Sequence, residues 1–127
     1  RMLLFERIDH ARQRALRRGH GFAVLLIDLD GFKAVNDTLG HDAGDRLLRL
    51  IAQRLQHSVR AVDTVARIGG DEFVVLVEEA GDPETLKALA GKIVVALGQP
   101  AGLDASGPAV GASIGIALWP GQGDSAQ

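Results

Sequence analysis

The sequence predicts one mixed α/β domain, with a βαββαβ core behind an N-terminal helix. Three observations carry this prediction. Phe22-Ala23-Val24-Leu25-Leu26-Ile27 is an unbroken apolar run, which suits a strand buried on both faces. A second run, Phe73-Val74-Val75-Leu76-Val77, follows the turn signal Gly69-Gly70 and reads as the second arm of a β-hairpin. Val110, Ala112, Ile114, Ile116 and Leu118 alternate, which marks a further strand. The chain has 127 residues, of which 46% are hydrophobic. That is enough for one such domain with a packed core and too little for two.

The elements follow in order. Leu3, Leu4, Ile8, Ala11 and Ala15 recur at helical spacing, so residues 2–18 form an amphipathic helix with those side chains inward. Arg7, Arg12, Arg14, Arg17 and Arg18 lie on its other face. They read as a solvated face, the alternative being contact with a membrane surface or a neighbouring domain. Gly19-His20-Gly21 ends this helix and a strand covers 22–29. Residues 31–38 form a short helix. Asp42 is the expected N-cap of a helix over 43–58, with Ala43, Leu47, Leu48, Ile51 and Leu55 toward the core. Strands near 62–68 and 72–78 make the hairpin. Asp82-Pro83-Glu84 opens a helix that runs to Leu97. Residues 98–107 read as a loop or a weak edge hairpin, and the alternating strand closes the sequence of elements. A parallel pairing across a helical crossover, together with the central hairpin, gives a ferredoxin-like, antiparallel-dominated α/β sandwich.

Composition narrows the function. The net charge is −2 with both signs interspersed, which argues against a nucleic-acid polymer as partner. There is no cysteine, so neither a disulfide framework nor thiolate chemistry is available. No apolar run approaches the length of a membrane span and no signal peptide is visible. The domain therefore reads as cytoplasmic, including the case in which it belongs to a membrane-anchored protein. It begins at Arg1-Met2 inside a helical pattern and ends in Gly121-Gln122-Gly123-Asp124-Ser125-Ala126-Gln127, and so reads as a piece of a longer protein.

The chemistry concentrates at two acidic sites. Asp71 and Glu72 follow Gly69 and Gly70 at the hairpin tip, where a glycine pair permits φ > 0 and a close approach of backbone to ligand. Asp28 and Asp30 stand at the end of the first apolar strand and point to one side of it. Unpaired carboxylates at such a place are costly, so a hard cation is the natural partner. If the two strands pair, Asp28 and Asp71 can share a metal, and a phosphate-bearing ligand bridged by Mg²⁺ explains both halves. The alternative is structural: Asp28 and Asp30 cap the next helix, and Gly69-Gly70-Asp71 is a tight turn.

Asp28-Leu29-Asp30-Gly31-Phe32-Lys33, Asn36-Asp37, Gly40-His41, Gly44-Asp45, Leu48, Arg67-Ile68-Gly69-Gly70-Asp71-Glu72-Phe73 and Ala112-Ser113-Ile114-Gly115-Ile116-Ala117 stand in this order along nearly the whole chain. With them the sequence resembles the GGDEF domain of diguanylate cyclases. The resemblance implies a palm-like core shared with nucleotide cyclases and polymerases. It also implies an enzyme that joins two GTP into cyclic di-GMP and releases pyrophosphate, using Mg²⁺ or Mn²⁺. By resemblance Asp28, the Leu29 carbonyl, Asp71 and Glu72 hold the metal, with Asp71 and Glu72 catalytic. Gly69 and Gly70 leave room for the α-phosphate. The Gly31-Phe32-Lys33 turn can receive terminal phosphates on its amides, with Lys33 near them. Asn36 and Asp45 read guanine, which needs acceptors for its N1 and N2 donors and a donor for O6 or N3. Read without the family, Asn36 is a helix C-cap and Asp45 a solvated helix residue. His41 matches too, with local packing or a hydrogen bond near the cap as its expected role. Arg60 and Asp63 match the family's inhibitory product site, with Lys92 a poorer match, although the bare tetrapeptide is commonly a surface pair.

The resemblance further implies a homodimer for catalysis, because one domain holds one GTP. It also implies adjacent sensory or EAL phosphodiesterase domains, since Ser113–Pro120 is worded like GGDEF domains of GGDEF–EAL proteins. The family's usual entry motif before Arg1 and its last helix after Gln127 lie outside the sequence, so residues 1–127 are expected to form a single GGDEF domain lacking both. Two alternatives to the enzyme are a GTP- or cyclic-di-GMP-sensing module that controls an attached effector, and a dimerisation domain with a vestigial site.

Overall fold

Side-chain alternation along the first strand organises the molecule. The computed structural model describes residues 2–19, 21–79, 82–99 and 110–119. In chain order the elements are α1 (Met2–Arg18), β1 (Phe22–Asp30), α2 (Phe32–Leu39), α3 (His41–Ser58), β2 (Thr64–Arg67), β3 (Glu72–Val77), α4 (Pro83–Leu97) and β4 (Gly111–Trp119). Among the described residues no helix is long and apolar enough to cross a membrane.

The four strands form one sheet in the order β2-β3-β1-β4. β1 pairs antiparallel with β3 on one side and β4 on the other, and β2 pairs antiparallel with β3. The expected α/β sandwich is present, but the expected parallel pairing is not. β1 and β2 run the same way with β3 between them, and every ladder among the described residues is antiparallel. The composition of the hairpin explains the placement. β3 carries five consecutive buried apolar residues, Phe73 to Val77, and needs cover on both sides. β2 is four residues long and partly exposed, so it takes the edge.

The two faces of β1 do different work. Ala23, Leu25, Ile27 and Leu29 face α2, α3 and α4, where Phe32, Leu48, Ile51, Leu55, Leu86 and Ile93 complete the main core. On the other face, Ala11 and Ala15 of α1 close over Phe22 and Leu76, with Ile8, Val24 and Trp119 around them. Phe22 stacks on Trp119 with ring centroids 5.5 Å apart. α1 stops short of the far half of this face: Leu26 is 47% exposed, and Asp28 and Asp30 beyond it are also exposed. Leu3, expected inward, is 60% exposed because the stripe Leu4, Ile8, Ala11, Ala15 is the one turned to the sheet. The arginine face is not merely solvated. Arg14 pairs with the largely buried Glu78, and Arg18 lies 3.7 Å from Glu79, which ties α1 to the end of β3.

Helix ends follow local chemistry. Gly19 takes φ 75° after α1 and its amide donates to the Ala15 carbonyl, as the glycine there predicts. His20 and residues 100–107 of the expected loop lie outside the described residues. α3 starts at His41 with Gly40 as its N-cap, so Asp42 sits in the first turn instead of capping. An acid there still faces the positive end of the helix dipole. Asp82 caps α4 as expected. It accepts from the Thr85 amide and hydroxyl, both at 2.9 Å, and these bonds hold its carboxyl below its ordinary pKa of 3.8. A depressed carboxyl contributes stability above its unfolded value and loses it as pH falls through the folded one. The Tm deficit of Asp82→Ala is therefore expected to be full at neutral pH and to shrink once the pH is taken below 3.8. A calorimetric pH series checks this.

Candidate active site

The end of β1 and the tip of the β2–β3 hairpin are built into one another. Asp28 is the register partner of Glu72, and one step on the Leu29 amide donates to the Asp71 carbonyl at 3.1 Å. The tip is closed by the Ile68 amide on the Glu72 carbonyl at 3.0 Å and by Arg67 Nε on the Gly69 carbonyl at 2.9 Å. The two acidic sites singled out from the sequence thus arrive side by side. Asp28 and Glu72 are exposed and Asp71 is half-buried. Among the described residues no ion pair engages any of the three.

No group of three or more His, Asp or Glu side chains is gathered to hold a metal among the described residues. Mg²⁺ does not require one. It is commonly held by one or two carboxylates together with substrate phosphates and water. Unpaired carboxylates on adjacent strand ends, with the Leu29 backbone between them, fit such an ion.

The capping alternative for Asp28 and Asp30 does not hold. The N-cap of α2 is Gly31, at φ 83°, and no side chain bonds to that cap. Asp30 instead accepts from the Ser113 hydroxyl at 3.0 and 3.2 Å. Ser113 is the register partner of Asp28 on β4, so Glu72, Asp28 and Ser113 form a row across three strands. Asp30 is thereby turned to β4. Sequence reasoning gave Ser113 no role, because only the β1–β4 register reveals the contact.

Conformational freedom is not what the two glycines of the tip supply. Neither has positive φ; among the described glycines that conformation belongs to Gly19, Gly31 and Gly40. Gly69 instead gives room to Glu72, whose Oε1 would lie 3.1 Å from a Cβ there, while Gly70 borders open space. In the Gly31-Phe32-Lys33 turn the Phe32 ring is buried, so only its backbone can serve a ligand, and Lys33 is exposed.

Asn36 is half-buried on α2 and Asp45 exposed on α3. Asn36 does not cap α2 with its side chain; its carbonyl accepts from the Gly40 amide at 2.9 Å. Its amide oxygen lies against Gly44 of α3. Asp45 lines a cleft of about 500 Å³ with Leu48, Arg49, Arg67 and Phe73, between α3 and the hairpin. His41 is exposed at the first position of α3 and is not packed into the core.

Residues 1–127 match the family described as diguanylate cyclase, GGDEF domain. The chain belongs to the GGDEF domain family. The bifunctional diguanylate cyclase/cyclic di-GMP phosphodiesterase MucR of Pseudomonas aeruginosa is 51% identical over 125 residues, which is 98% of this chain and 18% of MucR. The cyclic di-GMP phosphodiesterase NbdA of the same organism is 40% identical over 110 residues, 87% of this chain and 14% of NbdA. This GGDEF domain thus spans less than a fifth of either relative. The crystal structure of the GGDEF domain of TpbB, also called YfiN, from Pseudomonas aeruginosa superposes with a TM-score of 0.88 at 39% identity, covering 94% of this chain and 75% of that one. The palm-like nucleotide cyclase fold expected from the sequence is the fold of these neighbours.

A second polar corner of this GGDEF domain lies at the opposite end of the hairpin. The Asp63 side chain is 2% exposed. It accepts from the Arg60 amide at 3.0 Å, from Arg60 Nε and Nη2 at 3.3 and 3.2 Å, and from the Glu78 amide at 3.1 Å. Arg60 also donates to the Glu78 carbonyl. Arg60 and Asp63 are therefore brought together as expected, with half of the Arg60 side chain exposed. With Lys92 and His57 they line a cavity of about 350 Å³ between α3, α4 and the end of β3. Glu78 had no role in the sequence reading, because it acts here through its backbone.

Proposed function

We propose that this domain, in its full-length protein, condenses two GTP into cyclic di-GMP and releases two pyrophosphates. The observation that carries the reading is the juncture of Asp28 and Leu29 with Asp71 and Glu72, fixed by strand register and a backbone bond. Asp28, Asp71, Glu72 and the Leu29 carbonyl would hold Mg²⁺ or Mn²⁺. When bound, the ion supplies charge neutralisation at the α-phosphate and a more acidic 3′-hydroxyl. Gly70, open to solvent, admits the triphosphate to the hairpin tip. The amides at the start of α2 and the Lys33 ammonium receive its terminal phosphates. Asn36 and Asp45 select guanine.

In each half-reaction a 3′-hydroxyl attacks the α-phosphorus of the other nucleotide. Its proton leaves, with Asp71 as the proposed acceptor, and the bond to pyrophosphate breaks. Each domain holds one nucleotide, so a second copy related by two-fold symmetry must face it. The length of MucR and its name, which couples a diguanylate cyclase with a cyclic di-GMP phosphodiesterase, support a phosphodiesterase domain in the same chain; adjacent sensory or EAL domains are part of this proposal. We further propose that Arg60 reaches bound product at the cavity it shares with Lys92, and that Asp63, whose lone pairs are already occupied, holds Arg60 in place.

The deciding experiment incubates full-length protein with GTP and Mg²⁺ and measures cyclic di-GMP. Product is expected, with specific activity rising with protein concentration. Turnover by monomeric full-length protein at a rate independent of concentration would refute the two-domain mechanism. GTP binding without product would assign the domain to a sensing role.

A further inference from the structure

Gly44 is buried in the first turn and a half of α3, where that helix meets α2. A Cβ built on it would lie 1.8 Å from Asn36 Oδ1, 2.9 Å from Asn36 Cγ and 3.3 Å from Phe32 Cζ. No residue but glycine fits while Asn36 keeps this position. Backbone conformation does not explain the choice. Gly44 is helical and is not among the residues with positive φ. Glycine is a poor helix former, so its presence inside α3 calls for a reason of space.

We propose that Gly44 is a positioning residue for base recognition. It provides the slot in which the Asn36 amide lies, one residue before Asp45, so that the two base-reading groups keep a fixed relation across the α2–α3 junction. The inference rests on Asn36 and Asp45 as the guanine readers.

The geometry sets the size of the effect. With alanine at 44, Asn36 Oδ1 must retreat from 1.8 Å to the ordinary contact range that begins at 3.4 Å. A displacement of more than an ångström takes a hydrogen bond of normal length out of range. The clashing atoms are the far end of a side chain rather than backbone. The amide therefore moves while the helices stay, and base recognition is lost ahead of the fold. A glycine kept only for helix–helix packing predicts the reverse order, with stability lost whatever residue stands at 36.

The test compares wild-type full-length protein with Asn36→Ala, Gly44→Ala and the double variant. Binding of 3′-deoxy-GTP and 3′-deoxy-ATP is measured by calorimetry, because neither nucleotide carries the attacking hydroxyl. Asn36→Ala is expected to reduce the preference for guanine on the order of tenfold to a hundredfold. Gly44→Ala is expected to reduce it as much, with Tm held, and the double variant to match Asn36→Ala alone. If Gly44→Ala keeps the preference that Asn36→Ala loses, the slot is refuted while the base reading stands. If Asn36→Ala keeps it, the base reading fails and the inference with it. Should Gly44→Ala fail to fold, rescue by Asn36→Ala supports the slot, and failure of both variants overturns it.

Discussion

Asp71→Asn in the full-length protein is expected to lower cyclic di-GMP formation roughly a thousandfold or more. Thermal unfolding should move by less than about 1 kcal/mol. The asymmetry follows from which atoms of Asp71 do which work. Its carbonyl accepts the Leu29 amide and so joins the hairpin tip to β1, and asparagine keeps that carbonyl. Its carboxylate makes no ion pair among the described residues, so the substitution breaks no internal contact of that kind. What would be lost, on the proposed mechanism, is charge at the place where charge develops on phosphate. Retained turnover would remove Asp71 from the chemistry. A large loss of stability would return it to a structural role.

Asp63→Ala should act the other way, costing about 2–4 kcal/mol of stability. Four donors from Arg60 and Glu78 converge on this nearly inaccessible carboxylate. Alanine leaves the amides of residues 60 and 78 without their acceptor and the Arg60 guanidinium without its counter-charge. Urea denaturation checks the loss. Inhibition by cyclic di-GMP is consequently better probed at Arg60, whose side chain is half exposed. Arg60→Ala is expected to keep the initial rate and relieve inhibition by added product. Unchanged inhibition would reduce the pair to a structural clamp.

Much of this was legible in the sequence because it depends on neighbours along the chain. The apolar runs announced β1 and β3, Asp82-Pro83 announced the start of α4, and alternation announced β4. The meeting of Asp28–Leu29 with Asp71–Glu72 was also legible, given that two strands so apolar must lie inside one sheet. What escaped depends on pairing between distant segments. The edge position of β2 follows from a competition between the hairpin arms for cover, which neither arm shows alone. The Ser113–Asp30 bond needs the β1–β4 register. At the Asp63 corner Glu78 works through its amide and carbonyl, and every residue has those, so nothing in the sequence signalled that role. At the hairpin tip the glycines were read for both conformational freedom and space, and positive φ is the part that is absent.

The alternation of β1 makes the domain intolerant of length changes in one short stretch. Within Phe22–Asp30 the core and the candidate site occupy alternate frames, Ile27 and Leu29 inward, Asp28 and Asp30 outward. Deleting or inserting one residue between Phe22 and Ile27 would slide the strand by one place, sending the aspartates under α3 and the aliphatics into solvent. Fold and chemistry would fail in a single event. Through that segment, change can proceed by substitution but not by insertion or deletion, and catalysis can be lost separately from folding only by exchanging a side chain.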